Sequence, residues 1–125
     1  MRLDDVSGRV VDAAMKVHST LGPGLLESAY AACLADELRR RGHDVKAQLV
    51  LPVVYEGLAI DVGYRVDLLV DDVVIVELKA VARLHPVHEA QLLSYLKLSD
   101  RRVGLLINFH VPRLKDGIKR IINGW

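Results

Sequence analysis

The run Val73-Val74-Ile75-Val76-Glu77-Leu78-Lys79-Ala80 constrains this chain more than any other segment. Its apolar residues fill both parities, which suits a strand covered on both faces of a sheet. Side chains alternate along a strand, so Val74, Val76 and Leu78 share one face and Val73, Ile75, Glu77 and Lys79 the other. A carboxylate and an ammonium therefore interrupt an apolar face. Buried charge is costly unless it is paired or ligated. Glu77 and Lys79 must form an internal ion pair, lie at an exposed strand end, or belong to a site.

The elements around this strand read as an α/β order. Val6 to Leu21 places Val10, Val11, Ala14, Val17 and Leu21 near helical spacing, and Gly22-Pro23-Gly24 breaks the chain. Leu25 to Arg41 predicts a second helix closed by Gly42. Val45 to Tyr55 is β-prone, with Pro52 at an edge or bulge, and Glu56-Gly57 suits a turn. Ile60 to Val70 alternates, placing Ile60, Val62, Tyr64, Val66, Leu68 and Val70 on one face. Asp71-Asp72 suits a hairpin turn. Pro86 opens a helix to about Leu98, Val103 to Phe109 is another buried strand, and the tail from Pro112 is basic and mixed. Three strands in an antiparallel meander, a crossover helix and a parallel strand give a mixed sheet flanked by helices.

The chain of 125 residues shows no linker or repeat, so one domain over 1–125 is expected. Its single cysteine, Cys33, excludes an intrachain disulfide and falls in the apolar pattern of the second helix, as a core residue would. The opening Met1 to Asp5 lacks the apolar core of a signal peptide, and no apolar run is long enough for a bilayer. A cytoplasmic protein without a membrane partner is the expectation. Seventeen basic against sixteen acidic residues do not mark a polyanion binder by net charge, so the local distribution decides.

Asp67, on the preceding strand, can give Glu77 a companion. Two neighbouring carboxylates repel and favour a cation, and oxygen ligands in small number suit Mg²⁺. Lys79 beside them can act on a water and offset charge developing on phosphorus. The pairing depends on the turn. A two-residue connection at Asp71-Asp72 sets Val66 opposite Glu77, whereas a bulge or a three-residue connection, Asp71-Asp72-Val73, sets Asp67 there. Glu27 falls in the helical row of Tyr30, Ala31, Leu34 and Leu38, where it is either a further site acid or an early-helix carboxylate favouring the dipole. Gln91 and Tyr95 stand one turn apart on the helix after Lys79.

Among the five histidines, His85 and His88 find no third ligand at metal spacing. His85 suits an N-cap region, His88 a helix position near the active face, and His18 a backbone bond at the glycine turn. Arg65, Arg83, Lys115, Lys119 and Arg120 are the candidate phosphate contacts, while Arg39-Arg40-Arg41 suits a solvated helix end. One Trp, one Phe and four Tyr offer no evident stacking platform, so backbone contact is expected and base recognition is not.

In this order the motifs resemble the PD-(D/E)XK nuclease superfamily, with Asp67 followed by Glu77-Leu78-Lys79. The Gln91-to-Tyr95 spacing resembles the Q-x-x-x-Y motif of its RecB-like branch. Gly24-Leu25-Leu26-Glu27-Ser28-Ala29-Tyr30 is similar to the signature of the small GxxExxY proteins, as are the segments around His18, Val76-Ala80, Asn108-Phe109 and Leu114-Arg120. Val66 stands where the superfamily name has proline. The resemblance implies a restriction-endonuclease-like αβββαβ core. It implies Mg²⁺ or Mn²⁺ held by Asp67, Glu77, the Leu78 carbonyl and Glu27, with Lys79 acting on the nucleophilic water and Gln91 and Tyr95 completing the catalytic set. The expected activity is hydrolysis of nucleic acid, DNA first, with a homodimer or higher homo-oligomer to enclose it. The alternative is a catalytically silent module on the same fold that binds nucleic acid or a partner protein.

Overall fold

The computed structural model describes residues 3–124; Met1 and Arg2, at the opening read above for a signal peptide, lie outside the described residues. Helices α1 (Leu3–Leu21) and α2 (Glu27–Arg40) precede the strands β1 (Val45–Val50), β2 (Val53–Tyr55), β3 (Leu58–Ile60), β4 (Arg65–Val70) and β5 (Val74–Lys79). Helix α3 (Pro86–Leu98), strand β6 (Val103–Asn108), a short 3₁₀ turn (Leu114–Gly117) and strand β7 (Ile118–Ile122) follow. The main sheet has the order β1-β4-β5-β6-β7, and β2-β3 form a separate hairpin. β1, β4 and β5 run antiparallel in succession, while α3 crosses over to set β6 parallel to β5. This is the predicted mixed α/β architecture and αβββαβ order.

Helices α1 and α2 cover one face of the sheet, burying Val10, Ala14, Tyr30, Leu34 and Leu38 against Val74, Val76, Leu78 and Leu105. On the other face Leu92, Tyr95 and Leu96 of α3 pack on Ile75, Leu69 and Leu106. β5 and β6 are buried along nearly their whole length, which explains their unbroken apolar runs. Gly42 ends α2 with φ +92°, and its N–H donates to the Arg39 carbonyl at 3.0 Å.

Several sequence expectations change. The segment 60–70 is not one alternating strand: β3 ends at Ile60 and β4 begins at Arg65. Val66 also packs on the α3 side while Leu68 and Val70 pack on the α1-α2 side. The face switches at Asp67, opposite Gln48, whose φ of +54° takes that position out of the β1-β4 ladder. The basic tail contains an edge strand, β7, hidden in the sequence by Lys119 and Arg120 at its centre; charges of this kind protect a sheet edge from further pairing. Cys33 is exposed, because α2 turns Tyr30, Leu34, Ala35 and Leu38 inward instead. His18 Nε2 bonds to the Val111 carbonyl at 2.8 Å, not to the glycine turn. Among the described residues no helix is long and apolar enough to cross a membrane.

Two glycines separate packing from propensity. A Cβ on Gly117 would collide with the Asn108 backbone carbonyl, whereas one on Gly8, exposed in α1, would meet nothing within 4 Å. Gly8→Ala should therefore raise stability by about 1 kcal/mol, and Gly117→Ala should lower it. Thermal denaturation of the two variants checks this, and a stabilising Gly117→Ala would contradict the packing at the 3₁₀ turn.

Candidate active site

The site depends first on the turn between β4 and β5. Asp71 and Asp72 adopt φ of +51° and +62°, a region that aspartate enters more readily than most residues. Val73 N–H closes back on the Val70 carbonyl at 3.1 Å. Arg101 holds the Asp72 carboxylate at 2.7 Å and His43 that of Asp71 at 2.7 Å. The connection is thus the three-residue one. Pairing runs Val70–Val74, Leu69–Ile75 and Leu68–Val76, so Asp67 comes next, opposite Glu77.

Beyond Leu68–Val76 the two carboxylates take over from the backbone. Asp67 N–H donates to Glu77 Oε1 at 3.0 Å, and Leu78 N–H donates to Asp67 Oδ2 at 2.9 Å. Each acid satisfies an amide of the other's strand and keeps a second oxygen outside the ladder. The Gln48 amide is 3.5 Å from Asp67 Oδ1. Glu77 is only 6% exposed. Burial, and behind it the Asp67 charge, push its carboxyl up from 4.5 to about 8. The simple ion-pair reading of Glu77 and Lys79 does not hold, since among the described residues no carboxylate lies within 4.0 Å of the Lys79 ammonium.

Glu27 is the first residue of α2 and half-buried. It shares a cavity of about 420 Å³ with Asp67, Gln48 and Ser28. Burial and Asp67 raise its pKa, and Lys79 opposes them. The Tyr30 hydroxyl builds the entry to α2: it donates to the Gly22 carbonyl at 2.5 Å and accepts from Leu25 N–H at 3.1 Å. Tyr95, buried on α3, keeps its phenolic proton more firmly through burial and then the Glu77 charge.

The structure therefore brings Glu27, Asp67, Glu77, Lys79 and Tyr95 into one electrostatic neighbourhood. Gln91 lines a small cavity with Tyr64 and Tyr95, and it bonds to neither strand carboxylate. Gln48, missed in the sequence, also arrives through the break in β1, and His88, expected on the helix near the active face, lies near enough for Lys79 to depress its pKa after burial has done so. His88 Nδ1 accepts from His85 N–H at 3.1 Å, a reciprocal cap at the start of α3. The basic residues do not form one patch. Arg65 is paired with Asp61 at 3.2 Å and Lys119 with Glu89 at 3.1 Å. Lys119 and Arg120 are adjacent in β7 and so project to opposite faces, while Arg83 and Lys115 are exposed.

The donor chemistry suits a hard divalent cation. Two carboxylates each present an oxygen outside the ladder, and a buried pair of this kind gains from compensating charge. Among the described residues no group of three or more His, Cys, Asp or Glu side chains has metal-holding geometry. Mg²⁺ does not need one, since it is commonly held by one or two carboxylates with water and phosphate oxygens.

A five-stranded mixed sheet flanked by helices on both faces makes this an α/β protein of a kind consistent with a nuclease fold. The family model described as the PD-(D/E)XK nuclease superfamily matches residues 4–121, and the chain belongs to that superfamily. Its members are generally nucleases and typically use divalent metal ions. Comparison with individually curated proteins and with solved structures gave no significant match.

The raised pKa of Glu77 fixes a pH dependence. Between pH 4.5 and about 8 the folded chain keeps a proton on Glu77 that the unfolded chain has released. The stabilisation tied to that proton is whole below pH 4.5 and is lost as pH rises through about 8. In chelator, Glu77→Gln should melt several degrees above the wild type at about pH 8 and close to it near pH 4.5. Parallel melting curves across that range would contradict the buried carboxylate pair.

Proposed function

We propose that this chain is a Mg²⁺- or Mn²⁺-dependent nuclease that hydrolyses phosphodiester bonds of DNA. The observation that carries this reading is the Asp67–Glu77 pair facing across two parted strands, with Lys79 two residues beyond Glu77 on β5. Asp67 and Glu77 would hold the ion with the oxygens not engaged by backbone, the Leu78 carbonyl adding a ligand and Glu27 a water-mediated one. When bound, the ion supplies positive charge that neutralises the scissile phosphate and eases deprotonation of a water.

The chain's own groups do the rest. Lys79, which has no close ion pair among the described residues, orients the attacking water and offsets negative charge building on the phosphate oxygens. The water oxygen bonds to phosphorus as the phosphorus–oxygen bond to the leaving strand breaks; the attacking water gives up its proton to solvent, and the leaving oxygen takes one from a solvent water. Tyr95 keeps its proton and can donate a hydrogen bond beside the carboxylates. Glu27, of raised pKa, adjusts the charge of the acidic cavity. Within the superfamily we place the chain with the small GxxExxY proteins. The Tyr30 clamp supports this, since it ties the glycine turn to the helix that starts with Glu27. The Gln91-to-Tyr95 turn supports the RecB-like branch.

Cleavage of labelled DNA and RNA in Mg²⁺ tests the assignment. Lys79→Ala should lose about 100-fold or more in rate with an unchanged melting temperature. Wild-type rates in that variant would contradict the role of Lys79. A folded wild type that binds DNA yet cuts none of the substrates would favour the silent binding module.

A further inference from the structure

The nuclease reading leaves one cavity beside the carboxylates unused. It measures about 240 Å³ and is lined by Tyr64, Val87, Gln91, Ser94, Tyr95 and Leu98, together with Ala90. This is smaller than the ~300–1,000 Å³ typical of drug-sized ligands. The Tyr64 and Tyr95 rings form its aromatic wall, 5.6 Å apart at 51°. Tyr95 is buried, and Tyr64 keeps 41% of its surface open. Among the described residues neither the Gln91 amide nor the Ser94 hydroxyl has a hydrogen-bond partner, so a donor-acceptor amide and a hydroxyl line an otherwise apolar slot.

We propose that this cavity receives one unstacked nucleobase of the substrate, next to the phosphate held at Asp67 and Glu77. The inference rests on the nuclease reading and adds a substrate class to it. None of the lining residues is charged, so the slot suits a neutral aromatic ring and not a phosphate. A base that stacks on Tyr64 covers its exposed face, while Gln91 can pair with a base edge. Tyr95 packs in one buried cluster with Val66, the neighbour of Asp67 on β4, and Ile75, two residues before Glu77 on β5, which sets the slot on the side of the sheet next to the acidic pair. A base inside a duplex is stacked on both faces and cannot enter. Single strands, frayed ends and flaps are therefore the preferred substrates.

The test uses the whole chain in chelator, where no cutting occurs, with anisotropy of a labelled single-stranded DNA decamer. A second decamer of the same backbone carries abasic sites throughout. The wild type should bind the abasic strand about 5- to 100-fold more weakly. Tyr64→Ala, with its melting temperature checked, should weaken binding of the intact strand and shrink that difference, and Gln91→Ala should do so to a smaller degree. Equal binding of the two strands by a wild type that cuts DNA in Mg²⁺ would overturn the base slot and leave the nuclease reading standing. A folded wild type that neither binds nor cuts nucleic acid would overturn both.

Discussion

The crossed hydrogen bonds between Asp67 and Glu77 are the constraint on which the rest depends. Backbone amides in an antiparallel pair ordinarily donate to facing carbonyls. Here Asp67 N–H and Leu78 N–H donate to carboxylates instead, at 3.0 and 2.9 Å. The strands can part without leaving amides orphaned, and each acid is anchored at a fixed height on the opposing strand. The same bonds fix Glu77 in a buried position beside Asp67, where burial, and behind it the Asp67 charge, raises the Glu77 pKa and makes the pair receptive to a cation. The turn makes this possible: one residue fewer between β4 and β5 would send Asp67 to the far face.

A second set of contacts holds Lys79 and Glu27 to that centre. Phe109 N–H donates to the Lys79 carbonyl at 2.9 Å, continuing the pairing past the end of β5. The Asn108 side chain grips Val81 through both its N–H and its carbonyl, at 3.1 and 2.8 Å. Phe109 in turn stacks on Tyr30 at 4.5 Å, and Tyr30 fixes the turn before α2. A continuous line of packed groups thus runs from the lysine-bearing strand to the helix that starts with Glu27. Preorganisation of this kind keeps a site's charges in place without reorganisation during reaction.

How much of this was legible follows from the range of each interaction. Periodicity placed α3 at Pro86–Leu98 and recovered the buried strands, because those patterns are local. The chain's resemblance to the superfamily, carried by Asp67, Glu77 and Lys79, also survives comparison. Parity at Asp67 could be framed only as a choice between two turns, since the positive φ of Asp71 and Asp72 is decided by partners 28 and 29 residues away, His43 and Arg101. The face switch at Gln48 has no local signature. Tyr64 and Tyr95 are 31 positions apart in sequence, so their wall was invisible and the chain looked devoid of an aromatic platform. Cys33 misled because an apolar residue beside a helix's buried row need not be in it.

The central claim is that the Asp67–Glu77 pair is a cation site. Calorimetric titration of Mg²⁺ into the wild type and Asp67→Ala, at a pH above the raised pKa of Glu77, tests it most directly. The account predicts a single saturable site in the wild type that is lost in the variant. No binding by a folded wild type, with or without an oligonucleotide present, or equal binding by both proteins, would contradict it.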